Sequence, residues 1–250
     1  MPKTSDGPAD SENGGGPPPV YPMTPVAVVR SCFGGKFGAP RQPGLCPSAW
    51  GTLEFLPDYD SQESVRGLDG FSHLWIVFAF HETAEEGWHP TVRPPRLGGN
   101  RRVGVFASRS AYRPNPIGLS LVKLEGVDLS DGRPRLLLGG LDLIDGTPVF
   151  DVKPYLPYAE APPGASGGFA NGEPERLPVE IEPAAEPDFS RLPPRARALI
   201  REALSLDPRP ATRSGDGDRV FGAPLCGKDV RFQVRDGVCR VVGIAESRSL

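Results

Sequence analysis

Apolar residues in this chain gather in short runs that end in turn formers such as Pro, Gly, Asn and Asp. The strongest run is FSHLWIVFAFH, from Phe71 to His81. It is rich in β-branched and aromatic residues, which predicts a strand. Alternation along a strand puts His73, Trp75, Val77, Ala79 and His81 on one face. Ser72, Leu74, Ile76, Phe78 and Phe80 fall on the other. Both faces are mostly apolar, so the strand is expected to lie deep, between a barrel interior and a second layer. Further strands are predicted at Pro25–Arg30, Trp50–Leu56, Val103–Ala107, Gly118–Val127, Arg135–Leu138, Leu141–Ile144 and Pro148–Lys153. Asp131-Gly132 is a hairpin signal, and Asp145-Gly146 is a second turn signal. With no helical periodicity between them, many short strands and tight turns predict a mainly β, antiparallel, closed or partly closed barrel.

The pattern changes after Glu160. EAPPGASGGFANGEPE reads as a linker or mobile loop, assigned to residues 161–176. Pro193 to Leu206 then places Ala196, Leu199, Ile200, Ala203 and Leu204 at helical spacing, with Pro at the start and DPRP at the end. Strands follow at Arg219–Leu225, Val230–Arg235 and Val238–Ala245, the last two joined by Asp236-Gly237. Residues 177–250 are therefore expected to form a small α+β C-terminal domain. The start of the chain, MPKTSDGPADSENGGGPPP, has no apolar segment of the kind a secretion signal carries. Residues 1–20 read as a disordered leader, which leaves 21–160 for the barrel.

Composition changes this picture in one respect. At 250 residues the chain can bury a core without staples, and its 31 glycines and 31 prolines agree with many turns. The net charge of -3 excludes a global basic field drawing the protein onto nucleic acid. Any such contact has to be local. Between Gly87 and Leu124 stand Arg93, Arg96, Arg101, Arg102, Arg109, Arg113 and Lys123, with no Asp or Glu. Charge runs are usually solvated surface. This one is interleaved with Pro94, Pro95, Pro114 and Pro116, which fix the backbone and lower the entropy cost of holding a loop. Arginine's planar fork suits phosphate and carboxylate, so the stretch predicts an anion site on stiff loops.

Three smaller features compete for roles. In KFGAPRQPG, Pro40 and Pro43 bracket Arg41 and Gln42 and hold them extended; a rigid turn explains the same residues. Asp142, Asp145 and Asp151 in LDLIDGTPVFDVKPY offer a general base, a hydroxyl acceptor or a turn former, and at Asp145 the turn former is the stronger reading. His73, His81 and His89 are spaced by eight. Eight residues of strand cover about 26 Å, too far for one metal ion. His81, beside Glu82 at the end of the main strand, is the histidine best placed for a polar site. Cys32, Cys46, Cys226 and Cys239 form no CxxC pair and read as reduced thiols of a cytoplasmic protein. No metal is expected. No apolar run approaches the length of about 18 residues that a membrane span needs. The glycines of GGKFG match neither the dinucleotide nor the P-loop pattern.

KFGAPRQPG, GFSHLWIVFAFH, VRPPRLGGNRRVGVFASRS, YRPNPIGLSLVKLEGV and LDLIDGTPVFDVKPYLPYAE, in that order, resemble the signature blocks of the TsaA-like (YaeB-like, TrmO) tRNA methyltransferases. The resemblance covers about Pro25 to Glu160, and DPRPATR at Asp207 to Arg213 is similar to the family's C-terminal motif. Glu82 departs from the Gln that relatives often carry. The resemblance implies a TsaA-like β-barrel in place of the usual doubly wound methyltransferase sheet. It implies S-adenosyl-L-methionine as methyl donor and a homodimer with the donor near the subunit interface. The implied substrate is a tRNA anticodon stem-loop bearing N6-threonylcarbamoyladenosine at position 37, which gains an N6-methyl group. Carried over block by block, the cofactor contacts fall on Pro40, Arg41, Gln42, His81, Glu82, Arg109, Asp145, Gly146, Thr147 and Pro148. Asp145, Asp151 and His81 are open alternatives for taking the nucleophile's proton. Arg93, Arg96, Arg101, Arg102 and Arg113 are assigned to the RNA, with Tyr112 as a stacking surface or a packed ring. Two other functions stay open: a non-catalytic barrel that binds tRNA or another polyanion, and an S-adenosylmethionine-dependent methyltransferase for a different small substrate.

Overall fold

The computed structural model describes residues 19–209 and 219–247. Most of the expected leader and part of the DPRPATR block lie outside the described residues. The chain first forms β1 (Ala27–Ser31), β2 (Trp50–Phe55), β3 (His73–Ala79), β4 (Thr91–Val92), β5 (Val103–Gly104), β6 (Ile117–Asp128), β7 (Arg135–Gly139) and β8 (Thr147–Pro154). Six of these close a barrel in the order β1-β2-β7-β6-β3-β8, antiparallel at every join. β4 and β5 form a separate two-stranded ribbon inside the β3–β6 connection.

Alternating side chains fill the barrel. Val29, Leu53, Leu74, Ile76, Val122, Leu136 and Val149 are fully buried. Gly118 on β6 is required here, because a Cβ would lie 2.2 Å from the Phe78 ring. Among the described residues no second sheet or helical layer covers the outer face of β3: His73, Trp75, Val77 and Ala79 are half-buried, with Tyr155 edge-on to His73 and Trp75, while Leu74, Ile76 and Phe78 point inward. The smaller sheet packs against the β1–β2 connection instead. The outer wall of β3 and β6 is thus left apolar, with Val77 paired to Leu119 and Trp75 to Leu121, and Leu119 is 52% exposed.

Two predicted strands are different in kind. Leu141–Ile144 makes no ladder. Leu141 and Leu143 are buried as the alternation suggested, but the segment is held by single bonds. Gly140 N–H donates to Ala49 O, the Ser31 hydroxyl to Leu143 O, and Asp145 N–H to Phe33 O. The Val103–Ala107 run is a strand only as far as Gly104. Val105–Ala107 then turns as a 3-10 helix, closed by bonds from Ser108 N–H and its hydroxyl to Val105 O.

After β8 come a short helix α1 (Pro157–Glu160) and a stretch exposed throughout 161–173. The second unit contains β9 (Val179–Ile181), α2 (Glu186–Arg191), α3 (Pro194–Ser205), β10 (Phe221–Leu225), β11 (Lys228–Arg235) and β12 (Val238–Glu246). Its sheet runs β10-β11-β12-β9, with β9 parallel to β12. Leu199, Ile200, Ala203 and Leu204 of α3 are buried at the spacing read from the sequence.

The two units share one core through the β1–β2 connection. Phe33 bridges to Leu225, Gly34 N–H donates to Pro224 O, and Cys226 N–H to Cys32 O. Phe37 stacks on Phe221 and Phe232 at 6.2 and 6.1 Å. Arg195 of α3 reaches back to Ser48 O, Ala49 O and both carboxylate oxygens of Glu125.

Candidate functional site

In an alternating six-stranded barrel, the exits of every second strand share one rim. β1, β3 and β7 all run toward the same end, so the connections 32–49, 80–116 and 140–146 converge there. Those connections carry the chemistry-bearing blocks of the sequence. Two direct ties join the first two connections. Arg109 donates from Nη1 to Gln42 Oε1 at 2.6 Å. Lys36 Nζ lies 3.3 Å from a Glu82 carboxylate oxygen and donates to the Glu82 carbonyl. Glu86 stands 4.0 Å from the same ammonium and accepts from the Tyr112 hydroxyl.

The third connection is fixed from below. The Asp145 carboxylate accepts from Ser31 N–H at 2.9 Å, and Gly146 N–H donates to Val29 O. Asp145 is exposed, and Gly146 adopts φ 77°, the left-handed conformation that glycine takes without penalty. A side chain built at Gly146 meets nothing within 4 Å, so the turn is open above. The Thr147 hydroxyl is turned inward to Ile144 O. Pro40 is buried, while Arg41 is exposed and within electrostatic reach of Asp207. Asp207 in turn is held by Arg209 through both carboxylate oxygens, which brings the start of the DPRPATR block to the same rim. His81 stands half-buried at the exit of β3.

One carboxylate in this rim is unusual. Asp142 accepts from the buried Ser120 hydroxyl of β6 at 2.5 Å. Burial pushes its carboxyl up from 3.8 to about 6, against the opposing pull of the Ser120 bond, its own amide and the Arg109 charge. Asp151, by contrast, does not join the rim. It lies along β8 opposite Val77, ion-paired to Lys153 at 2.8 Å and accepting from Val152 N–H. The four cysteines are free thiols. Burial pushes Cys32 up to about 11 and Cys46, Cys226 and Cys239 up to about 12. Held protonated by burial, they are poor nucleophiles. Among the described residues, no group of His, Cys, Asp and Glu could hold a metal ion, and no helix is long and apolar enough to cross a membrane.

The arginines divide by what they hold. Arg93 and Arg101 are exposed, with no bonded partner among the described residues. Arg102 donates to the Thr91 hydroxyl, and Arg96 to Gly172 O of the exposed stretch after α1. Arg113 is a brace: Nη1 donates to Val105 O at 3.3 Å and Ser108 O at 2.7 Å. Tyr112 is packed, its ring 5.5 Å from His89 and its hydroxyl on Glu86.

Lys36, Glu86 and the Ser120–Asp142 pair were not selected from sequence. Lys36 and Glu86 carry no local signature, because their partners are about fifty residues away along the chain. Asp142 stood in the quoted aspartate cluster, but only its burial against β6 sets it apart. The donors at the rim suit S-adenosylmethionine. Arg109 and Gln42 can take an amino-acid carboxylate, Asp145 and Glu82 can face cationic centres, and the Gly146 turn admits a ligand close to the backbone.

Comparison with known proteins places the whole of this fold in one family. A model of the tRNA-methyltransferase O N-terminal domain matches residues 28–161, and one of the TrmO C-terminal domain matches 174–247. The chain is 49% identical over 216 residues to a tRNA (adenine(37)-N6)-methyltransferase of Escherichia coli strain K12, covering 84% of this chain and 92% of that protein. It is 44% identical over 231 residues to a putative S-adenosylmethionine-dependent methyltransferase of Pseudomonas aeruginosa, covering 90% and 98%. The crystal structure of TrmO from Pseudomonas aeruginosa superposes with a TM-score of 0.74 at 38% identity, over 90% of this chain and 98% of that one. With both family models matched in order and the barrel built as their relatives build it, the chain belongs to the TrmO family of tRNA methyltransferases.

Proposed function

We propose that this protein methylates N6 of N6-threonylcarbamoyladenosine at position 37 of tRNA, using S-adenosyl-L-methionine, and that it works as a cytoplasmic homodimer. The observation that carries the reading is the Arg109–Gln42 bond. It joins the Pro40–Gln42 block to the acid-free arginine loop at the rim where Asp145–Pro148 also emerges. When bound, S-adenosylmethionine supplies an electrophilic methyl group on a sulfonium centre.

The chain's own residues then have separable tasks. Arg109 and Gln42 hold the donor's carboxylate, and Pro40, Arg41, His81, Glu82, Thr147 and Pro148 shape its seat. Asp145 and Gly146 lie at the open turn, and Asp145 faces positive charge there. Because the reaction is a displacement, fixing donor and acceptor in line accounts for much of its rate. The acceptor's N–H proton must leave as the methyl arrives. His81 and Asp145, both at the rim, are placed to take it; Asp151 lies apart on the barrel wall. Arg93, Arg96, Arg101 and Arg102 face the anticodon phosphates and the threonyl carboxylate. The apolar outer wall around Val77, Leu119 and Leu121 supports pairing with a second copy.

Purified protein with labelled S-adenosylmethionine should transfer methyl to tRNA bearing the threonylcarbamoyl group and not to tRNA lacking it. Mass spectrometry of the digested nucleosides reads the product. Arg109→Ala should lower kcat/KM by about 10-fold or more, the worth of one charge-assisted hydrogen bond. Equal methylation of both tRNAs would refute the substrate assignment, and methylation of neither would refute the activity.

A further inference from the structure

Resting on the tRNA reading above, we infer that Phe106 is a stacking platform for an unpaired base of the anticodon loop. The ring is 77% exposed. A single exposed hydrophobe is ordinary on a protein surface; this one is unusual in how it is held and in what surrounds it. Its neighbour Val105 is 2% exposed and anchors the turn from beneath. Val105 N–H donates to Pro90 O, and Val105 O accepts from Ser108 and from Arg113. The 3-10 turn Val105–Ala107 is therefore braced on both sides, and it projects the ring outward.

The Arg113 guanidinium lies over the Phe106 ring, 5.8 Å from its centroid. One side of the ring thus has a cation–π partner, and most of its surface still meets solvent. The chain on either side is the acid-free stretch. Exposed Arg93, Arg101 and Arg102 belong to the same connection, whose ribbon pairs Thr91 with Gly104 and Val92 with Val103. Trp88, 52% exposed, lies in the same connection three residues before β4. Aromatic faces interleaved with arginines are the features by which proteins hold single-stranded nucleic acid. The cations track the backbone while the rings stack on bases, tolerating any base identity. A rigidly held ring loses little entropy when a base settles on it. Tyr112 is already engaged, its ring 5.5 Å from His89 and its hydroxyl donating to Glu86.

The alternative occupant is a second copy of the chain. Charge argues against it: an acid-free arginine stretch would face its own copy or the apolar barrel wall, whereas RNA brings phosphates.

The test compares Phe106→Ala, Phe106→Leu and Phe106→Trp in the full chain, with tRNA bearing the threonylcarbamoyl group. Phe106→Ala should raise the KM for tRNA by about 10-fold or more, the usual worth of one stacked base. Its S-adenosylmethionine affinity and its mass by light scattering should stay unchanged. Phe106→Trp should restore the KM, and its indole fluorescence should be quenched by an anticodon stem-loop. Phe106→Leu should not restore it. A wild-type KM in Phe106→Ala, or full rescue by Leu, would overturn stacking while leaving the methyltransferase reading intact. Weaker RNA binding accompanied by a drop in mass would assign the ring to a copy–copy contact and also overturn it. If the unaltered protein neither binds nor methylates this tRNA, the functional reading falls and the inference falls with it.

Discussion

Two long connections meet at the rim of this barrel, and they are held in opposite ways. The β1–β2 connection is fixed from outside itself. Its backbone pairs with β10, Phe37 lies among Phe221 and Phe232, and Ser48 is held by both carboxylate oxygens of Glu202. The β3–β6 connection is braced largely from within. Arg113 ties the Val105 turn, Tyr112 ties Glu86, and Arg102 ties Thr91. A loop sewn into a second core keeps its shape as long as that core is folded. A self-braced loop keeps its shape while leaving its outer face free. The first arrangement suits a small ligand that must be seated to within a fraction of an ångström. The second suits a large, flexible polyanion.

Aromatic truncations in the two loops should therefore differ sharply in cost. Phe37→Ala removes a half-buried ring packed against two others and should cost about 2 kcal/mol of stability. Phe106→Ala removes an exposed ring and should change stability by less than about 0.5 kcal/mol. Urea denaturation of both variants measures the difference. Equal losses would mean that the arginine loop depends on the core as heavily as its neighbour does.

This contrast was only half legible in the sequence. The barrel strands were readable because alternation and turn residues report local geometry, and α3 was readable from its apolar spacing. β9 has three residues and pairs in parallel at a sheet edge. α2 has six residues and reads as polar. Neither is long enough to show a period. Leu141–Ile144 alternates like a strand because its leucines are buried, yet no neighbour offers a ladder. The outer face of β3 looked like core because composition cannot tell a covered apolar wall from one left open. At the site, blocks such as KFGAPRQPG and LDLIDGTPVFD were conspicuous, but the pairing of Arg109 with Gln42 or of Lys36 with Glu82 depends on contacts across more than forty residues. The division of arginines into braces and free groups is likewise invisible in a list of charges.

The third connection differs from both in carrying a buried carboxyl that responds to pH. Asp142 sits between the inner wall and the rim, and its carboxyl is raised from 3.8 to about 6, chiefly by burial. The folded state therefore binds more protons than the unfolded state between those values. The contribution of Asp142 to stability should be fully present below this window and fall as pH rises through it, by at most about 1.4 kcal/mol per pH unit. Asp142→Asn keeps an acceptor for Ser120 and removes the titration. The variant should thus gain on the unaltered protein between about pH 4 and pH 6 and hold that gain above. Urea midpoints of the two proteins at pH 4.5, 5.5 and 7 measure it. A constant difference across the three would show that burial does not raise the Asp142 carboxyl.

The smallest effect separates free arginines from bracing ones. Each phosphate neutralised on a single strand steepens the fall of log K against log salt by about 0.7. Arg93→Ala and Arg101→Ala should each flatten the tRNA-binding slope by up to that amount and leave stability unchanged, since neither residue has a bonded partner among the described residues. Arg113→Ala should do the reverse. Its guanidinium is spent on Val105 O, Ser108 O and the Phe106 ring, so its loss should loosen the turn and weaken tRNA binding by a similar factor at every salt concentration. Binding isotherms of the three variants at four salt concentrations distinguish the outcomes. A flattened slope in Arg113→Ala would move that residue from the loop's internal frame to its RNA-facing side.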